Sequence, residues 1–329
     1  MRHSLLLSLV LSWACGSGPD TDMDRAASEA PSVAFLLVQA LSPFEVEVWE
    51  AIQRAEEDGY ASRVKMVEMK DPTEFETTVR QVSNAGYDVV VSTFFLIKEP
   101  FLKAAPHFPD THFVLVYESI PEPEKYPNLR AIAYDVQEGS YLCGVVAAMK
   151  SDAGRVGFMG GADTPGVEKF LAGYEAGLKS VNPDLELDVA FTGTFVDPDK
   201  GHEMTLALYE RGDDVIMHAA NKTGLGLFVA SEELGKFAIG VDVDQTALSP
   251  ETVICSALSN PGRSVRQAIR DVASGTWSGG NVDWGLDDGV PAVALNEALV
   301  DEEIVAKVGE LEQRIRNGEI EVPVSTETR

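Results

Sequence analysis

The chain has 329 residues, 45% of them apolar, with 53 acidic and 26 basic side chains and a formal charge of −27. That length suggests about two domains, and the apolar content supports a sizeable core rather than a disordered chain. The acidity argues against a nucleic-acid binder, which needs clustered Lys and Arg for the phosphates, and reads as a solvated, self-repelling surface.

Met1-Arg-His-Ser4 is a short positive segment, and Leu5 to Leu11 is an apolar run broken by Ser8. Ser12-Trp-Ala-Cys15 follows, with a small residue before the cysteine. This is the pattern of a bacterial secretory signal ending in a lipobox, so lipidation is expected at Cys15. The run is too short to span a bilayer as a mature helix. Residues 16–31 are rich in Gly, Ser, Asp and Ala without apolar periodicity, as expected of a flexible tether. Cys143 falls in a helix-like run and Cys255 in a strand-like run. Two such thiols can pair in an oxidising compartment, although they are more often small buried hydrophobes. No Cys/His spacing suggests a metal site, and no cofactor motif is present.

From Ser32 onward, strand and helix patterns alternate. Val33 to Val38 reads as a fully buried strand, and Glu45 to Glu57 as an amphipathic helix with Val48, Trp49, Ile52 and Ala55 on one side. Further strands are expected at Arg63–Val67, Asp88–Ser92, Thr111–Val116 and Leu129–Ala133. Pro72 suits the first turn of a helix. The pattern continues through Val156–Phe158, Leu185–Phe191, Asp214–Met217, Phe237–Gly240 and Val253–Leu258, and Val300 to Asn317 reads as a C-terminal helix stopped by Gly318. Repeated βαβ units of about 30 residues imply parallel sheets with helices on both faces. So many strands fit two doubly wound lobes joined by a hinge. The expected division is 32–134 with about 243–279 in the first lobe, and 135–242 with about 280–323 in the second. Ligand is then expected in the cleft at the carboxyl ends of the strands.

Several of those strand ends carry family-like motifs. They include Val156-Gly-Phe-Met-Gly-Gly161, Phe170-Leu-Ala-Gly-Tyr-Glu-Ala-Gly177, Thr194-Phe-Val-Asp197, Lys200-Gly201, Thr223-Gly224 and Ile239-Gly-Val-Asp-Val-Asp-Gln245. Glu138-x-x-Tyr141-Leu142-x-Gly144 and Phe44-x-x-x-x-Trp49-Glu50 add to them. In order and spacing the chain resembles the basic membrane protein family, from about Val33 to Pro323. These are substrate-binding lipoproteins of ABC importers, among them purine-nucleoside receptors. The resemblance implies a type I periplasmic-binding-protein fold that closes around a small molecule, with an ABC permease as partner. It also implies a monomer, anchored to the membrane by lipid and facing the periplasm or outside.

The resemblance further implies two stacking aromatics, which fall on Phe44 and Phe195. Each can sandwich a flat ligand or simply plug a helix. Asp242 ends a strand where a carboxylate can accept bonds from vicinal hydroxyls or cap the next segment. Asn221, Thr223 and Gly224 form another strand-end loop, and Glu118 falls near a family aspartate, where it can bond a base edge or simply cap the loop. Gly160 and Gly161 allow close backbone approach at a helix start. The chain departs from the family at two positions. Glu45 stands where an asparagine is usual, and Ser259 where a ribose-binding lysine is usual, which leaves Lys222 as the substitute cation. The implied ligand is thus a nucleoside or a similar small polar molecule. A receptor that presents its ligand to a membrane sensor is the alternative. An enzyme is not expected: no Ser-His-Asp order, G-x-S-x-G elbow or metal constellation is present, and His107, His112, His202 and His218 are scattered.

Overall fold

The computed structural model describes residues 30–38, 41–288 and 292–326. The expected lipidation site Cys15 and residues 16–29 of the tether lie outside the described residues. The first lobe is built from β1 (Ser32–Val38), α1 (Pro43–Glu57), β2 (Arg63–Met69), α2 (Phe75–Asn84), β3 (Val89–Ser92), α3 (Lys98–Ala104), β4 (His112–Val116) and β5 (Leu129–Tyr134). Then α4 (Val136–Lys150) enters a second lobe of β6 (Arg155–Gly160), α5 (Pro165–Val181), β7 (Glu186–Phe191), α6 (Pro198–Glu210), β8 (Val215–Ala219), α7 (Leu225–Leu234), β9 (Phe237–Asp242) and β10 (Val253–Leu258). The chain returns with α8 (Pro261–Ala273) and β11 (Gly280–Trp284), and finishes with β12 (Val293–Leu295) and α9 (Glu302–Arg316).

Each lobe holds a six-stranded sheet, ordered β11-β5-β4-β3-β1-β2 in one and β12-β10-β9-β8-β6-β7 in the other. All pairs are parallel except β10 with β12. The order reverses between β1 and β3, and again between β6 and β8. Such switch points open a crevice at the carboxyl ends of the strands.

Two strand placements correct the sequence-based division. Val253–Leu258 was expected in the first lobe, but β10 lies beside β9 in the second sheet. No crossover helix is needed, because the link carries one 3-10 turn, Thr246–Leu248, tied by Gln245 N–H to Ser256 Oγ at 3.1 Å. Conversely, Gly280–Trp284 was expected in the second lobe, yet β11 extends the first sheet along β5. It follows α8, which lies close on α1: a Cβ added at Gly262 would sit 3.0 Å from that of Ala51. Arg266 of α8 also pairs with Asp58 at the end of α1. The chain therefore crosses between lobes after β5, after β10 and after β11.

Local chemistry sets the helix ends. Ser42 and Glu45 form a capping box at the start of α1, and Thr164, Asp197 and Asp301 cap α5, α6 and α9. The core of the second lobe depends on backbone contact between α4 and α5. A Cβ at Gly177 would fall 2.0 Å from the Tyr141 carbonyl oxygen, and one at Gly144 would fall 2.2 Å from that of Tyr174. Two of the family-like motifs are thus the two halves of one helix contact.

Candidate functional site

The first lobe's wall starts at the α1 N-terminus. Phe44 is buried there, and its ring meets Tyr117 at a centroid distance of 5.5 Å. Tyr117 follows β4 and packs on Tyr134 at 4.7 Å, whose hydroxyl lies 2.6 Å from Ser264 Oγ. Glu45 is buried beside them, its Oε2 accepting the Ser42 N–H at 3.0 Å. Glu118, the next residue after Tyr117, forms a 2.6 Å ion pair with Lys98.

The second lobe's wall is fixed by close packing. The Phe195 ring lies on the α-carbon of Gly161, where a Cβ would approach the ring to 2.3 Å. Gly160 makes similar room for Phe191, at 2.6 Å. Both glycines were expected to admit a ligand; in the structure they admit the chain's own rings. The Phe195 carbonyl accepts Thr223 N–H at 3.2 Å, and Thr223 Oγ1 accepts Asp197 N–H at 2.9 Å. Gly224 rests against His218, whose Nδ1 would be 2.0 Å from an added Cβ. Burial lowers the His218 pKa to about 4, so the ring is neutral near pH 7. Its Nε2–H donates to Gln245 Oε1 at 3.0 Å, which also accepts Val241 N–H at 2.9 Å. This chain of bonds orders the turn after Asp242.

The walls touch through polar pairs. The Tyr117 hydroxyl donates to Asp242 Oδ1, and Asn221 Nδ2 donates to Glu45 Oε1 at 3.3 Å. Ser259 Oγ adds a bond to Asp242 Oδ1 at 3.2 Å. Burial raises the Asp242 pKa to about 6 against the bonds from Tyr117 and Ser259, and the charge of Glu45 pushes the same way as burial. Glu47 is raised to about 7, again first by burial, and accepts Gly262 N–H at 3.3 Å. The carbonyl oxygen of the Asn221 side chain is buried without a partner among the described residues. Tyr117, Asn221, Asp242 and Asn260 all have positive φ, at 66°, 46°, 71° and 55°. Left-handed backbone is tolerated best by Asn and Asp and is unusual for Tyr117, and these four residues all lie at or just after strand ends; the other such non-glycine residue described is Glu122.

Of the expected residues, Phe44, Glu45, Asn221, Asp242 and Ser259 meet directly or through Tyr117. Phe195, Thr223 and Gly224 form the wall behind Asn221. Glu118 is paired with Lys98, and Lys222 lies in the turn of Asn221. Sequence reasoning missed Tyr117, Tyr134 and Glu47. Tyr117 immediately follows the strand whose end drew attention to Glu118, so the strand-end rule applied to it equally. Glu47 carried no such signal, because its place depends on α8 returning from the other lobe.

Two six-stranded lobes with switch-point crevices, joined by three interlobe connections, are the architecture of a two-lobed binding protein. A family profile described as "ABC transporter substrate-binding protein PnrA-like" matches residues 30–326, and the chain belongs to that family. The chain is 32% identical over 254 residues to Basic membrane protein A of Borreliella burgdorferi, covering 75% of this chain and 74% of that protein. It is 28% identical over 349 residues to a CD4+ T-cell-stimulating antigen of Listeria monocytogenes, covering 97% and 96%. An ABC transporter solute-binding protein from Aeropyrum pernix K1 superposes with a TM-score of 0.80 at 25% identity, covering 90% of this chain and 94% of that one. Such proteins work outside the cytoplasm, binding a small molecule for a membrane permease. Among the described residues, no helix is long and apolar enough to cross a membrane.

Proposed function

We propose that this protein is the lipid-anchored receptor of an ABC importer and closes on a nucleoside or a similarly flat ligand rich in hydrogen-bond donors. One observation carries the reading: the walls meet through Tyr117–Asp242 and Asn221–Glu45, with Phe44 beside the first pair. These groups offer mainly acceptors, in Asp242, Glu45 and the orphan Asn221 oxygen. A ligand supplying hydroxyl or amine donors would replace the present cross-lobe bonds, and Phe44 and Phe195 would stack on its ring. Serine at 259 in place of a cation favours donors from the ligand itself. Binding would stabilise the closed state, which docks on the permease. Cys15 would anchor the chain, with the tether holding the lobes away from the bilayer.

The test is to purify the chain from Ser28 onward, identify co-purifying small molecules by mass spectrometry, and titrate nucleosides by calorimetry. Heat with at least one nucleoside is expected. No heat with any of them refutes the nucleoside reading and leaves the fold untouched. Anchoring is tested separately: labelled palmitate should enter the full chain and be lost in Cys15→Ala.

A further inference from the structure

Cys143 and Cys255 are both fully buried in the second lobe's core, one on α4 and the other on β10. Their register can be followed from a contact nearby. A Cβ built on Gly139 of α4 would stand 3.5 Å from the Cβ of Ala257 on β10. Cys143 lies one helical turn further along α4, about 6 Å. Cys255 lies two residues back along β10, on the same face of the strand and about 6.6 Å away. The start of α4, with Val136 and Gly139, lines one pocket with Leu258 and Ser259 at the end of β10, so helix and strand run in opposite directions, and equal steps from the Gly139–Ala257 contact bring the two cysteines opposite each other.

The surroundings agree with a pair. Burial first, and then the neighbouring Cys143 sulfur, push the Cys255 thiol well above the usual range, so it is protonated. The Tyr174 hydroxyl, which feels both sulfurs, is fully buried without a hydrogen-bond partner.

We propose that Cys143 and Cys255 form a disulfide between α4 and β10 when the chain folds in an oxidising compartment. The oxidant is a protein or small-molecule disulfide, R–S–S–R. One cysteine thiolate attacks it, forming a mixed disulfide and releasing one R–S⁻. The second cysteine sulfur then displaces the other R–S⁻. Two electrons pass from the cysteine pair to the oxidant, and the two cysteine protons leave on two molecules of R–SH. Because both sulfurs are inaccessible in the folded lobe, the exchange takes place before β10 covers α4. The bond joins the helix that enters the second lobe at Val136 to the strand that leaves it before Ser259. It therefore braces the backbone behind Asp242 and closes a loop of roughly 110 residues, a constraint of the kind that stabilises chiefly through the unfolded state.

In its cellular setting the inference rests on the extracytoplasmic reading, so two experiments are needed. The full chain recovered from cell envelopes is denatured in excess iodoacetamide and peptide-mapped without reduction. The expected result is a linked Cys143–Cys255 peptide, two hydrogens lighter than the sum of its thiol forms. Separately, the reduced chain is refolded in oxidised glutathione. The same linkage is expected, with a melting temperature several degrees above that of the reduced chain, of Cys143→Ala and of Cys255→Ala. Two alkylated thiols after refolding, or a linkage from either residue to Cys15, overturn the inference. Linkage on refolding but free thiols in envelope protein would count against the extracytoplasmic reading and leave the pair standing.

Discussion

The two walls of the cleft are built in different ways. In the second lobe, Phe195 and the Asn221 turn are seated by contacts that tolerate no added atom: ring on Gly161, Gly224 on His218, and Thr223 bonded to both Phe195 and Asp197. In the first lobe, Phe44, Tyr117 and Tyr134 lean on one another, and Glu45 is divided between its own helix cap and Asn221 across the cleft. A wall of backbone contacts changes little without unfolding, whereas a wall of stacked side chains can be re-cut residue by residue. Ligand choice is therefore expected to lie in the first lobe, and its seating in the second.

The largest expected effect breaks the second wall. Gly224→Ala has an ordinary helical backbone to occupy, but its Cβ meets the fully buried His218 ring at 2.0 Å. Overpacking of this kind costs about 2–3 kcal/mol, read as a lower urea midpoint at unchanged slope. An unchanged midpoint would show that this wall is as adaptable as the other. Next is Asp242→Asn. Asparagine accepts the left-handed backbone at 71°, so the change removes charge without bending the turn. Loss of a charge-assisted bond of about 1.5–3 kcal/mol predicts roughly tenfold to hundredfold weaker ligand binding by calorimetry. Phe195→Ala is expected to weaken binding about tenfold through lost stacking. Full affinity in that variant would remove the stacking role.

Sequence made the second wall legible and left the first obscure, for physical reasons. Gly144, Gly173 and Gly177 are required by the backbone contact of α4 with α5, so the motifs holding them are stringent and easily matched. They identify the fold while touching no ligand position. Asp242 stood out in the sequence because it closes an apolar strand, where a carboxylate can meet a ligand or cap the next segment. Glu47 was not, since it is an ordinary helix residue until Gly262 arrives from the far side of two lobe crossings. The same long-range pairing explains the misplacement of β10 and β11. β10 is a short apolar run and β11 a short mixed one, Gly-Asn-Val-Asp-Trp, and nothing local says which sheet receives either.

Tyr117→Phe sharpens the comparison from the first lobe. The ring packing against Phe44 and Tyr134 is retained, and only the donor to Asp242 is lost. That hydroxyl would compete with the ligand for the carboxylate. Binding is therefore expected to tighten about threefold, the usual scale of one modest hydrogen bond in competition with water. Weaker binding would instead make Tyr117 a direct ligand contact.

The smallest expected effect is on pH, and it separates Asp242 from its neighbours. Its carboxyl is raised from 3.8 to about 6 in the folded chain, first by burial. The folded state then holds this proton more tightly than the unfolded state, so the group's contribution to stability is greatest in acid and falls as pH rises from about 4 to about 6. Ligand binding should run the other way, because donors need the carboxylate. Between pH 8 and pH 6 about half of the carboxylate is lost, which predicts roughly twofold weaker binding. His218 cannot supply this change, since its titration is displaced down to about 4. Glu47, at about 7, can contribute only through its charge, so Glu47→Gln should keep the inflection near 6 and Asp242→Asn should abolish it. An inflection that follows Glu47 instead would move the ligand's anchor from the second lobe to the first.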